Sequence, residues 1–219
     1  MALLDESIRN ELKEIFKELD KKVYIKLFIS DKNCLTCSET KTLYTEISEL
    51  TEKIKFELGD ETEVKNYNLM DMRPVTIILD ENKKDYGIRF YGIVAGYEFS
   101  SFLETILLVS TGKHQLKDSS IKFIKSLPQN IDFKIFVTTS CPYCPAAVYI
   151  GHSLAYLSDN KITSNMIEVS EFPELGNKYN VMGVPRTVIN DSEFQEGAAP
   201  EEVIIEKIKK VINNPTPQN

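Results

Sequence analysis

All four cysteines of the chain fall in two pairs of identical spacing, Cys34-Leu35-Thr36-Cys37 and Cys141-Pro142-Tyr143-Cys144. Self-similarity on this scale governs architecture, so it is read before any element is assigned. With Cys34 aligned on Cys141, apolar residues recur at matching offsets: Leu43 with Ile150, Ile47 with Leu154, and Leu50 with Leu157. Their spacing predicts an amphipathic helix behind each pair, with these residues serving as core packing. Six residues before each first cysteine stand Phe28 and Ile135, inside the strand-like runs Val23 to Ile29 and Phe133 to Val137.

The repeat continues past the helices. Pro74 and Pro185 are each followed two residues on by a threonine, Thr76 or Thr187, and then by the apolar pairs Ile77-Ile78 and Val188-Ile189. A hairpin-like stretch comes next, Asp80 to Gly92 in the first half and Asn190 to Gly197 in the second. Each half opens on an amphipathic helix (Leu4, Ile8, Leu12, Ile15, Leu19; then Ile121, Ile124, Leu127 with Phe123) and closes on another, Phe99 to Val109 or Glu201 to Ile212. The expectation is an α/β protein of two tandem units, each a mixed β-sheet flanked by helices. A chain of 219 residues accommodates two such units of about 100 residues each. The polar stretch Ser110 to Ser119 contains Thr111-Gly112-Lys113-His114, a helix stop, so the units are placed at 1–117 and 118–219. His114 is expected to be solvated there, and the Pro- and Asn-rich tail Asn213 to Asn219 to be disordered.

What the cysteines do depends on compartment. The first residues, Met1 to Glu11, show neither a basic nor an apolar signal region, and no apolar run approaches bilayer length. The expected location is therefore the cytoplasm, where cysteine pairs serve redox or metal chemistry more often than structural stapling. A net charge of −7 argues against nucleic acid or an anionic membrane as the main partner. In disulfide exchange the thiolate attacks, and a free thiol with a pKa of about 8.5 is mostly protonated at neutral pH. A cysteine between a strand and a helix meets the unpaired N–H groups and partial positive charge of the helix end, which stabilise the thiolate. Cys34 and Cys141 are accordingly expected to attack, and Cys37 and Cys144, one turn on and more buried, to resolve the mixed disulfide. A cis bond before Pro74 or Pro185 would turn the backbone of Arg73 or Val184 toward the sulfurs, free to pair with an extended substrate chain. The Arg73 side chain itself, and His152 behind the second pair, are expected at the surface.

The doubled strand–Cys-x-x-Cys–helix–Pro–strand pattern resembles the thioredoxin fold. Two such units with Cys-Pro-Tyr-Cys in the second resemble the glutaredoxin-like protein disulfide oxidoreductases of thermophilic archaea and bacteria. Gly87-Ile88-Arg89-Phe90-Tyr91-Gly92 with Ala95-Gly96-Tyr97-Glu98-Phe99 looks like that family's first unit, and Met182-Gly183-Val184-Pro185 looks like the cis-proline loop of thioredoxins. The resemblance covers nearly the whole chain. It implies reversible exchange with protein disulfides and dithiols, by reduction, oxidation or isomerisation, without a bound cofactor. It also implies electrons from a thioredoxin-reductase-like flavoprotein and two units packed into one body. By position it makes Cys34, Cys37, Cys141 and Cys144 redox-active and Pro74 and Pro185 cis, with Arg73 and Val184 beside them on the substrate side. In one respect the chain departs from thioredoxins: their buried carboxylate six residues before the first cysteine is replaced here by Phe28 and Ile135.

Two other readings stand beside this one. Relay modules of peroxide-reducing systems also pair two thioredoxin folds, but retain a single cysteine pair where this chain has two. Four thiolates also suit zinc, which would make the chain a metal-held interaction module; the 103-residue separation of Cys37 from Cys141 disfavours it.

Overall fold

The computed structural model describes residues 3–30, 32 and 34–214. In the first unit the helix α1 (Glu6–Phe16) leads into the strand β1 (Val23–Phe28), and the first cysteine pair precedes α2 (Cys37–Ser48). Then come β2 (Ile54–Leu58), the short helix α3 (Glu61–Asn66), the hairpin β3 (Val75–Leu79) and β4 (Asp85–Tyr91), and α4 (Glu98–Thr111). Gly112, with φ at +70°, ends α4 in the left-handed conformation that glycine adopts without steric cost. The second unit repeats the order: α5 (Asp118–Lys125), β5 (Ile131–Val137), α6 (Cys144–Leu157), β6 (Ile162–Glu168), α7 (Pro173–Lys178), β7 (Arg186–Ile189), β8 (Glu193–Glu196) and α8 (Glu201–Asn213). Asn213 and its cap Asn214 therefore belong to an ordered helix end rather than to the expected tail; residues 215–219 lie outside the described residues.

All eight strands form one sheet, in the order β2-β1-β3-β4-β6-β5-β7-β8. The units are joined where β4 of the first pairs in parallel with β6 of the second, Ile88 opposite Ser164 through Tyr91 opposite Ile167. Following the pairings across the sheet shows that β1, β4, β6 and β5 all run in one direction. The loops that follow these four strands therefore leave the sheet at the same end. This places both cysteine pairs, which follow β1 and β5, on one end of the molecule. Four strand spacings of about 4.8 Å put the two roughly 20 Å apart.

Alternation along the strands decides which helices cover which face. Val23, Ile25 and Leu27 of β1, with Ile131, Phe133, Ile135 and Val137 of β5, face the larger core, which continues through both units. Leu43, Ile47 and Leu154 are buried in it, and Leu50, Ile150 and Leu157 pack against it, as the repeated stripe predicts. Phe28, Val75, Ile77 and Leu79 face the other side with Phe136, Ile167 and Val188, beneath residues flanking or within α3 and α7. The two halves meet closely. The Tyr86 ring lies 4.5 Å from that of Tyr156, and the His152 ring 4.7 Å from that of Phe90. His152 is thus fully buried at the seam, not at the surface, and its Nδ1 lies 3.1 Å from the Thr105 hydroxyl. Desolvation lowers its pKa from the ordinary value to about 3. His114 is half-buried, with its Nδ1 shielded from solvent. Among the described residues no helix is long and apolar enough to cross a membrane.

Candidate active site

Each cysteine pair straddles the start of a helix. Cys37 is the first residue of α2 and Cys144 the first of α6, so Cys34 and Cys141 stand just ahead of the free N–H groups. At the second site one of those groups is seen in use: the Cys144 N–H points at Cys141 Sγ, 3.1 Å away. Both pairs are bridged, with Cα–Cα separations of 5.6 Å and 5.5 Å, inside the usual disulfide range. Cys37 and Cys144 are buried, and Cys34 is more open than Cys37. Large apolar side chains stand in solvent on the same loops: Leu35 is 79% exposed and Tyr143 70%. Among the described residues no three of His, Cys, Asp and Glu gather as a metal-holding group, and the two pairs stand as separate sites.

The second proline loop lies beside its cysteines. Arg73-Pro74 and Val184-Pro185 are both cis, and the Val184 carbonyl oxygen lies 3.8 Å from Cys141 Sγ. Met182, just ahead of the second of these, is almost wholly exposed. Arg73 differs from expectation in its side chain. Instead of reaching into solvent, the guanidinium folds back and donates to the carbonyls of Met70 and Met72, at 3.0 and 2.8 Å. It satisfies the backbone of the loop that presents Pro74.

Phe28 and Ile135 are buried in opposite cores, so neither site has a carboxylate beneath its own strand. Two carboxylates that the sequence does not single out occupy the seam instead, each on a loop or helix start that belongs to the other unit. Glu98 begins α4 of the first unit and is fully buried. The loop leading to it lies against the loop leading to Cys141: the Tyr97 N–H donates to the Thr139 carbonyl at 2.9 Å. Gly96 permits this approach, for its φ is +58° and a Cβ there would collide with that same oxygen. Glu98 Oε2 accepts from Ser101 Oγ at 2.7 Å, whereas Oε1 has no protein partner. Burial pushes the Glu98 carboxyl up to about 7, with the Ser101 bond opposing. Glu171 lies beyond β6 of the second unit, and its Oε2 accepts from Thr36 Oγ1 between the first pair of cysteines, at 2.5 Å.

The thioredoxin domain family matches residues 131–210, within the second unit. Over 94% of its length the chain is 28% identical to an alkyl hydroperoxide reductase subunit of Escherichia coli, and spans 37% of that protein. Among solved structures, the N-terminal domain of alkyl hydroperoxide reductase AhpF from Enterococcus faecalis is 30% identical, with a TM-score of 0.83. That match covers 93% of this chain and 98% of that one. A protein disulfide oxidoreductase from Aeropyrum pernix is 28% identical with a TM-score of 0.88, covering 97% of this chain and 96% of that one.

Proposed function

We propose that this chain, which shares its paired thioredoxin-fold units with the AhpF N-terminal domain and with the Aeropyrum pernix protein disulfide oxidoreductase, exchanges dithiols and disulfides with protein substrates through two sites, one in each of the units 1–117 and 118–219. The observation that carries the reading is that both cysteine pairs are within bridging distance at a helix start, on one end of a single sheet. In the reducing direction Cys34 or Cys141, as thiolate, attacks a substrate disulfide and expels one substrate sulfur. Cys37 or Cys144 then attacks the mixed disulfide, releasing the second substrate sulfur and leaving the protein pair oxidised. The backbone at Arg73-Pro74 and Val184-Pro185 holds the substrate chain beside the sulfurs as an added strand. Exposed Leu35, Tyr143 and Met182 supply apolar contact for an unfolded or extended segment. A flavoprotein of the thioredoxin-reductase kind would restore the dithiols.

Insulin reduction by dithiothreitol tests this with wild type, Cys34→Ser, Cys141→Ser and the double variant. Each single variant should retain part of the turnover and the double variant none. Equal turnover by wild type and the double variant would refute the proposal. The likeness to the alkyl hydroperoxide reductase proteins favours a second reading, an electron relay to a peroxide-reducing partner. In that case one of Cys34→Ser and Cys141→Ser would by itself abolish electron transfer to a peroxidase disulfide, and the other would leave it intact.

A further inference from the structure

Thr36 occupies the N-cap position of α2, where a threonine hydroxyl ordinarily accepts from a backbone N–H of the first turn. Here it makes no such bond; it donates across the seam to Glu171. The other oxygen of Glu171 accepts from the Ile93 N–H at 2.7 Å, and the Glu171 N–H donates to Glu168 Oε2 at 2.8 Å. The carboxylate is thus held from two directions, by the loop after β4 and the cysteine loop, while the Glu171 backbone is tied to Glu168 of β6. Gly92 makes the room, since a Cβ there would lie 2.7 Å from Glu171 Oε1. Glu171 also lines a cleft of about 840 Å³ with Leu35 and Arg73, so it faces the space beside the first site.

We propose that Glu171, from the second unit, is a positioning residue for the first site: its fixed negative charge opposes the helix end and makes the Cys34 thiol less acidic than it would otherwise be. The proposal rests on the reading of Cys34–Cys37 as an exchanging pair. Thr36 is two residues from Cys34, and with about 3.8 Å per Cα step plus the reach of the two side chains and the hydrogen bond the carboxylate lies within roughly 15 Å of its sulfur. Glu168 of β6 and Glu39 of α2 act on Glu171 with the same sign. Lys32, Arg73 and Lys178 line the cleft, as do Asp71 and Glu174, yet no lysine or arginine among the described residues forms an ion pair with Glu171. Burial holds its own pKa above the ordinary carboxylate value, outweighing the Thr36 and Ile93 bonds that lower it. The second site lacks this arrangement, because Tyr143, exposed and apolar-faced, stands where Thr36 does. One consequence is that two cysteine pairs of equal spacing differ in acidity through a contact between units, not through their own sequences alone.

The test is the pH dependence of iodoacetamide alkylation of Cys34 and Cys141 in the reduced full chain, read separately from their peptides by mass spectrometry. At an effective dielectric constant near 20, a unit charge at this distance is worth about one pH unit in the midpoint. Glu171→Gln, which keeps the size of the side chain, should lower the Cys34 midpoint by that amount and leave Cys141 unmoved. Thr36→Val, which frees the carboxylate from its tether, should shift Cys34 in the same direction by less, and Thr36→Ser should restore the wild-type profile. An unchanged Cys34 midpoint in Glu171→Gln, or an equal shift at both sites, overturns the proposal while insulin turnover still supports exchange. A Cys141→Ser variant with no insulin turnover at all removes the exchange reading of the first site, and this proposal with it.

Discussion

Replacing Glu98 by glutamine should change how stability depends on pH. In the folded chain the Glu98 carboxyl titrates at about 7, against 4.5 for the ordinary group. Its cause is burial, so the neutral form is the one the fold favours. Between these two values the folded state holds a proton that the unfolded state has released. Stability from this group is therefore complete below pH 4.5 and is lost as pH rises through 7. A difference of one in pKa corresponds to about 1.4 kcal/mol, which makes the whole loss about 3 kcal/mol. Between pH 5 and 8.5, where the unfolded group has already begun to ionise at the lower limit, the loss is about 2 to 3 kcal/mol. Glutamine cannot ionise, can still accept from Ser101, and fills the same space. Urea denaturation of wild type and Glu98→Gln at pH 5 and pH 8.5 isolates the effect, because every other titrating group cancels in the comparison. The variant should gain about 2 to 3 kcal/mol relative to wild type on going to pH 8.5. Parallel pH profiles for the two proteins would refute this expectation, and with it the claim that Glu98 changes protonation near neutrality.

Other consequences are open to direct measurement. His152, buried and titrating at about 3, holds no proton in the folded state where the unfolded chain takes one up below its ordinary 6.5; stability should fall by several kcal/mol as pH drops from 6.5 toward 3, and His152→Gln should flatten that limb in urea titrations. Gly96→Ala places a side chain at positive φ against the Thr139 carbonyl, and should lower the melting temperature by an amount equivalent to more than about 1 kcal/mol. It should also slow exchange at Cys141 more than at Cys34; equal slowing would contradict the seam contact. Ile47→Ala opens a cavity in the larger core under α2, and should cost about 2 to 5 kcal/mol in denaturant titration.

Much of this fold was legible because its signals are local. The helix behind each cysteine pair is written in the three- and four-residue spacing of Leu43, Ile47 and Leu50 and of Ile150, Leu154 and Leu157, which needs no distant partner to be recognised. The cysteine spacing sets the two sulfurs one turn apart, and the structure bridges both pairs. The repeated Pro-x-Thr marked two loops whose X-Pro bonds are both cis, and the second of them lies beside Cys141. Arg73 shows where such reading ends: an arginine next to a site looks solvated until the carbonyls of Met70 and Met72 are found folded beneath it. His152 likewise follows an active-site helix in sequence, and nothing in its neighbours reveals that β4 and α4 of the other unit cover it.

What tertiary structure alone decided lies along the seam. Pairing of β4 with β6 depends on two edges about 75 residues apart, each of which reads simply as a strand. That one pairing aligns β1 and β5, sets both cysteine loops on the same end, and brings Gly92–Glu98 and Glu168–Glu171 between them. Absence of a carboxylate at Phe28 and Ile135 was plain from the sequence. The placement of Glu98 and Glu171 at the seam was not, since Glu171 meets Thr36 of the first cysteine loop, and the loop before Glu98 meets Thr139, only across the interface. Chemistry within a turn of helix is encoded by neighbours in the chain; the charges that tune it come from residues that become neighbours only when the two sheets are made one.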